Sequence, residues 1–378
     1  MTVVNEMTAH GVSVGADTEQ SSQNLIDHSL TDSCADFKDF NEMQQKILRM
    51  MDPSYLKTVS MTELLDNVYQ SKPPLVDGLL YRGTYLFVGA PKLGKSFLMT
   101  QLAYHISTGT PLWNYPVRKG TVLYLALEDD YRRLQERSYR MFGTSENENL
   151  FFSVSAGQLG NGLDEQLTNF IREHPDTSLV IIDTLQKIRE VGGDKYSYAN
   201  DYQIITRLKS LAGSYGICLL LVHHTRKQQA DDKFDMISGT NGLLGAADGA
   251  FLLTKEKRTA NTATLDVSGR DQQDQRLHLF RNEETLAWEL ERVETELWKA
   301  PPEPLLEQVS SLLSSGSKEW TGTPTELAAL LGVDMKPNAL TRRLNVNAGR
   351  LLNEYGIRYE SSRNRNERTV KLTAAERA

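Results

Sequence analysis

The chain has 378 residues, of which 39% are hydrophobic and 24% charged; this balance excludes a disordered or membrane-spanning polymer and suits a core of about 200 to 250 residues with smaller attachments. The formal net charge of −7 excludes a generally basic surface, so any contact with nucleic acid must use local patches. No run of about 18 apolar residues occurs, the N-terminus has no basic start leading into an apolar stretch, and the only two cysteines, Cys34 and Cys218, lie far apart; the expectation is a soluble protein of the reducing cytoplasm with no membrane partner.

Residues 1–35 are rich in Ser, Thr, Asn, Gln and Asp without a sustained apolar period, which reads as a disordered tail. Phe37, Phe40, Met43, Ile47 and Met50 recur at three- and four-residue steps, so an amphipathic helix is expected there, with a second short one after Thr62, making 36–72 an N-terminal helical segment. Pro73-Pro74 breaks helix. Beyond it, apolar runs at 84–89, 121–127, 150–154, 179–183, 217–222 and 249–254 alternate with helix-length segments. That order predicts an α/β fold with a mostly parallel, buried sheet. TATLDVSGR, QRLHLFRN and LAWEL then alternate as antiparallel strands do and extend the sheet edge, so that one domain covers 73–295. Pro301, Pro302 and Pro304 mark a linker over 296–304. Residues 305–378 read as short helices, a turn at Gly332 and two closing strands, a winged-helix-like domain.

Gly89-Ala90-Pro91-Lys92-Leu93-Gly94-Lys95-Ser96 matches the phosphate-binding-loop pattern in full and lies between an apolar strand and a helix that begins near Phe97. Glycines let backbone N–H groups close around a β-phosphate, the helix N-terminus favours its charge, Lys95 reaches the β- and γ-phosphates, and the Ser96 hydroxyl ligates Mg²⁺. ATP with Mg²⁺ is therefore the expected ligand. LVIID ends a strand on Asp183, about 90 residues further on, where a carboxylate serves as the second Mg²⁺ residue. TVLYLALEDD ends another strand in acids; Glu128 is the chosen base for the attacking water, with Asp129 as its alternative and a solvated helix cap as the plain reading. LLLV runs into His223 and His224, for which a γ-phosphate sensor, a structural histidine and a metal ligand all stand as readings, although consecutive strand side chains point to opposite faces.

GAPKLGKS, LALEDD, LVIIDTLQKI and LVHHTRK together resemble the RecA-like hexameric helicases, and within them the plasmid replicative helicases of the RepA type and related ATPases of mobile elements, over roughly Pro73 to Leu290. The resemblance implies Lys95 as P-loop lysine, Ser96 and Asp183 as magnesium residues, Glu128 as catalytic glutamate and His224 as sensor, with His223 the less certain equivalent because the family often has glutamine there. It implies a hexameric ring whose central channel holds single-stranded DNA. Loops 186–200 and 227–245 would face that channel, with Lys187, Arg189, Lys195, Tyr196 and Tyr198 from the first, Arg226 and Lys227 at the start of the second, and Lys233 within it, gripping phosphates and bases. An ordinary surface loop is the plain alternative.

A finger reaching the neighbouring subunit's ATP is also implied, and Arg270 is its candidate, with Arg258 and Lys255 as alternates. Eight basic against three acidic side chains between Pro337 and Lys371 give that stretch +5, so Arg342 and Arg343 are candidate duplex contacts, and a protein-docking role is the alternative. The implied function is an ATP-driven DNA motor, a replicative helicase of a plasmid or mobile element. An ATP-switched DNA-binding regulator or recombinase-like filament, and a site-specific DNA-binding protein, are the rival readings.

Overall fold

The computed structural model describes residues 52–70, 72–189, 198–225, 241–257, 259–270, 272–294, 303–314, 318–363 and 367–374, with Gln44, Leu48, Phe234 and Ile237 as isolated positions. Residues 1–67 and 68–378 are two units. In the first, helix α1 (Met61–Asp66) is closed by a capping box: Ser60 Oγ accepts from the Glu63 amide at 3.1 Å, and the Glu63 carboxylate accepts from the Ser60 amide at 2.8 Å. These bonds satisfy two N–H groups that a helix start leaves open. The expected tail, and the expected helix over 36–51 apart from Gln44 and Leu48, lie outside the described residues.

The second unit is built on a nine-stranded sheet in the order β3-β2-β4-β5-β1-β6-β7-β8-β9. Strands β1 (Gly83–Gly89), β2 (Thr121–Ala126), β3 (Leu150–Ser153), β4 (Thr177–Asp183), β5 (Cys218–His223) and β6 (Gly249–Thr254) pair in parallel. β7 (Thr262–Gly269), β8 (Gln272–Arg281) and β9 (Trp288–Val293) continue it antiparallel. This is the α/β, mostly parallel architecture that the apolar runs predict, with β5 lying between the P-loop strand β1 and the acid-ended strand β4.

Because side chains alternate across a strand, the continuous apolar runs feed two cores. Leu179, Ile181, Leu220 and Val222 join Leu98, Met99, Leu102 and Ile106 of helix α2 (Lys95–Thr108) on one face. On the other, Val180, Ile182, Leu219 and Leu221 meet α4 (Leu163–Glu173) and α5 (Tyr198–Tyr215) through Leu167, Ile205 and Leu208. Each such fully buried aliphatic side chain contributes roughly 1.5–3 kcal/mol, and this rigid double-faced sheet is what fixes its strand ends. Helix α3 (Tyr131–Phe142) follows β2 and starts on Asp130, whose carboxylate accepts from the Arg133 amide at 2.8 Å. A short helix α6 (Asn241–Ala246) precedes β6.

Residues 304–374 contribute the buried members of a third, separate apolar cluster. Here α7 (Pro304–Ser314), α8 (Pro324–Leu331), α9 (Pro337–Val346) and α10 (Ala348–Tyr355) pack on a three-stranded sheet ordered β10-β12-β11, formed by β10 (Glu319–Gly322), β11 (Ile357–Arg363) and β12 (Arg368–Ala374). Strand β10 is absent from the sequence reading, and it completes the sheet against β12. The helical region after Gly332 divides at Asn347, whose side-chain amide donates to the Arg343 carbonyl at 2.8 Å in place of a helical continuation.

Candidate nucleotide-binding site

The site forms where β1, β2, β4 and β5 end side by side. β1 feeds directly into the loop 89–96, and the loop opens α2 at Lys95. Two residues of the loop turn through left-handed backbone, Gly94 with φ 93° and Lys92 with φ 66°. A side chain at Gly94 would meet Trp288 at 3.3 Å, and a Cβ at Gly89 would meet the Leu253 carbonyl at 2.8 Å. Glycine is thus needed at both positions for the loop to close, and Lys92 stores the kind of local strain found at ligand clamps.

Lys95 is buried, 6% exposed. Its Nζ donates to the carbonyls of Gly89 at 2.8 Å and Ala90 at 3.0 Å and lies 3.3 Å from His224 Nδ1. Burial pulls its pKa down, and the carboxylates of Asp183 and Glu128 pull it back up. Ser96 Oγ donates to Asp183 Oδ2 at 2.8 Å, and Tyr124 donates its hydroxyl to the same oxygen at 2.9 Å. Burial raises the Asp183 pKa, while the bonds from Ser96 and Tyr124 and the charge of Lys95 oppose that rise. The Glu128 side chain, exposed at the end of β2, accepts from Thr184 Oγ1 at 3.2 Å. Asp129 is already engaged: Arg137 holds it at 2.5 Å and Arg133 approaches to 3.6 Å. The two histidines separate as strand alternation requires. His223 is buried in β5 opposite Val88, and half-buried His224 is the one beside Lys95. Burial first, then the lysine charge, depresses the His224 pKa, so its ring is neutral at physiological pH.

These donors fit a magnesium nucleotide. A hydroxyl and a carboxylate brought to 2.8 Å are the hard oxygen ligands that Mg²⁺ takes alongside phosphates and water. Among the described residues no group of three His, Cys, Asp or Glu forms a protein-only metal site. An anion also suits the cations that gather at the start of α2. Phe97 carries the Arg281 guanidinium over one approach at 4.3 Å and that of Arg137 at 5.0 Å. Nε and Nη1 of Arg137 are buried without a hydrogen-bond acceptor among the described residues. Trp288, reaching back from β9, donates Nε1 to the Gly94 carbonyl at 3.3 Å and exchanges two backbone bonds of 2.8 Å with the Gln101 amide.

Of the residues proposed from sequence, the structure brings together Gly89 to Phe97, Glu128, Asp183 and His224. Others lie elsewhere. Arg189 is corrected as a free DNA-gripping cation: it is 7% exposed and its Nη2 lies 2.9 Å from Asp201 of α5. Lys187 is exposed on the 3₁₀ turn Leu185–Ile188 after Asp183. Lys195, Tyr196, Arg226, Lys227, Lys233 and Arg258 lie outside the described residues, as does the side chain of Tyr198. Arg270 is on the turn between β7 and β8, with Nη2 donating to the Gly245 carbonyl at 3.1 Å. Gly269 pairs with Gly249 at the start of β6, the opposite end of the sheet from the P-loop, so Arg270 is not part of this site. Lys255 sits 5.3 Å from the Trp288 ring. In the C-terminal region Arg342 is partly exposed, and Arg343 is paired with Glu303 at 2.5 Å.

Sequence reasoning missed Tyr124, Arg137, Thr184, Arg281 and Trp288. Tyr124 and Thr184 carried a usable signal, each being a polar residue within or directly after an apolar strand that ends in a catalytic-type acid. Trp288 and Arg281 carried none, because their partners are far away in the chain.

Fold and site together are those of a P-loop nucleotide-binding domain that carries the residue types an ATPase uses. Consistent with that class, residues 51–230 match the AAA domain family AAA_25. No curated protein matches the sequence. Among solved structures, one of an isolated ATPase domain is similar at 17% identity and a TM-score of 0.47, over 68% of this chain and 99% of that one. A DnaB-like replicative helicase, described with its interactions with primase, is similar at 17% identity and 0.47, over 71% and 76% of the two chains. A KaiC-like protein, PH0186 of Pyrococcus horikoshii OT3, follows at 12% and 0.42, over 60% and 99%. Among the described residues no helix is long and apolar enough to cross a membrane.

Proposed function

We propose that the protein is a Mg²⁺-dependent ATPase that works as a ring-forming motor on single-stranded DNA, of the kind that serves replication of a plasmid or mobile element. The observation that supports it is the joining of Ser96, Lys95, Asp183 and His224 at adjacent strand ends, because two of those ends lead straight into the candidate DNA loops. β4 passes from Asp183 to the turn bearing Lys187, and β5 passes from His224 into the segment that begins at Thr225.

In this reading Lys95 exchanges the Gly89 and Ala90 carbonyls for β- and γ-phosphate oxygens, as backbone N–H groups of the loop close around the phosphates. Ser96 and Asp183 would hold Mg²⁺, which when bound neutralises charge on those oxygens. Glu128 has the exposure to orient and deprotonate water, whereas Asp129 is held by arginine. His224 is a neutral donor placed to register the γ-phosphate and to pass its loss to the following loop. Arg270 is the candidate finger acting between subunits, and the C-terminal region, read as winged-helix-like, is the candidate duplex contact through Arg342 and Arg343. ATP turnover measured with and without single-stranded DNA at fixed salt tests the motor. Strong stimulation is expected; turnover indifferent to DNA would overturn the motor reading in favour of an ATP-switched regulator.

A further inference from the structure

Tyr124 lies in the middle of β2, fully buried, its ring 5.6 Å from that of Phe152. A phenylalanine would fill this place without a hydroxyl to satisfy, and an unpaired buried hydroxyl costs roughly 1–3 kcal/mol. The Tyr124 hydroxyl is satisfied by one acceptor, Asp183 Oδ2, at 2.9 Å. Ser96 donates to that same oxygen at 2.8 Å. The two lone pairs of Oδ2 are therefore occupied, which fixes the carboxylate plane.

The geometry points to Tyr124 as a positioning residue for magnesium: when the Ser96 hydroxyl is drawn to the metal, the tyrosine hydroxyl is the protein donor that still holds Asp183 in place. This rests on the reading of Asp183 as a magnesium carboxylate. Ligating carboxylates are themselves hydrogen-bonded, and loss of such a partner commonly weakens metal affinity by about 10- to 100-fold. Tyr124 touches neither nucleotide nor metal in this scheme. Its effect reaches the site only through the orientation of Asp183.

The test is binding of a fluorescent ATP analogue to the full chain, titrated with Mg²⁺ at fixed nucleotide and repeated in EDTA, for wild type, Tyr124→Phe and Phe152→Leu. In Tyr124→Phe the Mg²⁺ concentration for half-maximal binding is expected to rise about tenfold, with affinity in EDTA and melting temperature close to wild type. Phe152→Leu, which loosens the packing but keeps the hydroxyl, should leave the Mg²⁺ midpoint in place. In an Asp183→Asn background, adding Tyr124→Phe should change nothing further. An unchanged Mg²⁺ midpoint in Tyr124→Phe, or an equal shift in Phe152→Leu, would overturn the proposal while leaving the site intact. Wild-type binding that ignores Mg²⁺ would instead overturn the magnesium reading of Asp183 and this role with it. If Tyr124→Phe failed to fold, Tyr124→Met, which also removes the hydroxyl, would serve: the same rise of about tenfold in the Mg²⁺ midpoint is expected, and an unchanged midpoint would overturn the proposal.

Discussion

At the phosphate end of the parallel sheet, Lys95 and Asp183 are buried, and each is held by neutral groups from more than one strand end or loop. In residues 303–374 ion pairs lie toward the surface: Arg343 with Glu303, Arg350 with Glu354, Arg358 with Glu360 and Lys371 with Glu319. The first arrangement costs stability, since burial disfavours both ions, and it is the kind of cost met where a site must hold charge in a dry, preorganised place. The second contributes little, as exposed pairs are worth about 0–1 kcal/mol each. Mutations should therefore separate function from stability at the sheet and do little of either in the C-terminal region.

The largest effect is expected from Lys95→Ala. Removing the ammonium should lower ATP turnover by about 10²- to 10³-fold or more, with a melting temperature that does not fall. A stability loss comparable to that of a core truncation would break the contrast, because it would show the lysine to be a structural part of the loop. Glu128→Gln comes next. Its turnover should fall by about 10²- to 10⁴-fold while fluorescent-nucleotide binding is retained; near-wild-type turnover would remove Glu128 as the base and return attention to Asp129.

Asp183→Asn sharpens the comparison from the stability side. Burial holds the Asp183 pKa above its unfolded value, so the native state carries a penalty for the ionised carboxyl that is absent below the unfolded value, grows as pH rises from there, and is complete above the folded pKa. The amide escapes it. The nucleotide-free variant should be more stable than wild type near neutral pH, by about 1 kcal/mol, and the gain should vanish as the pH falls toward 4. Denaturant midpoints across that range measure it, and a variant less stable than wild type at neutral pH would show that the bonds from Ser96 and Tyr124 outweigh burial.

The two regions also differed in how far they could be read from sequence. The parallel strands were legible because strands buried on both faces are apolar without interruption, and the loop 89–96 because its geometry demands glycine at set positions. Arg189 was misread for a physical reason: a basic residue in a loop looks solvent-facing until the helix after it returns Asp201 to cover it. Strand β10 had no alternation to announce it, Glu-Trp-Thr-Gly being made a strand by its pairing with β12. Trp288 became part of the P-loop environment through the Gly94 carbonyl, a contact that no local pattern encodes.

The smallest effect should come from the pair Arg350–Glu354, and it tests the C-terminal side of the contrast most directly. The geometry is good, with Nε to Oε1 at 2.7 Å and Nη2 to Oε2 at 3.1 Å. Against that, both groups are partly open to solvent, and the arginine precedes the glutamate along the helix, the less favourable order with respect to the helix dipole. A double-mutant cycle with Arg350→Ala and Glu354→Ala should give a coupling of about 0.3–0.5 kcal/mol that shrinks in high salt. Coupling above about 1.5 kcal/mol would mean that this guanidinium is committed to the fold. A weak pair leaves it able to trade a carboxylate for a phosphate, as the proposed duplex contact of this region would require of its arginines.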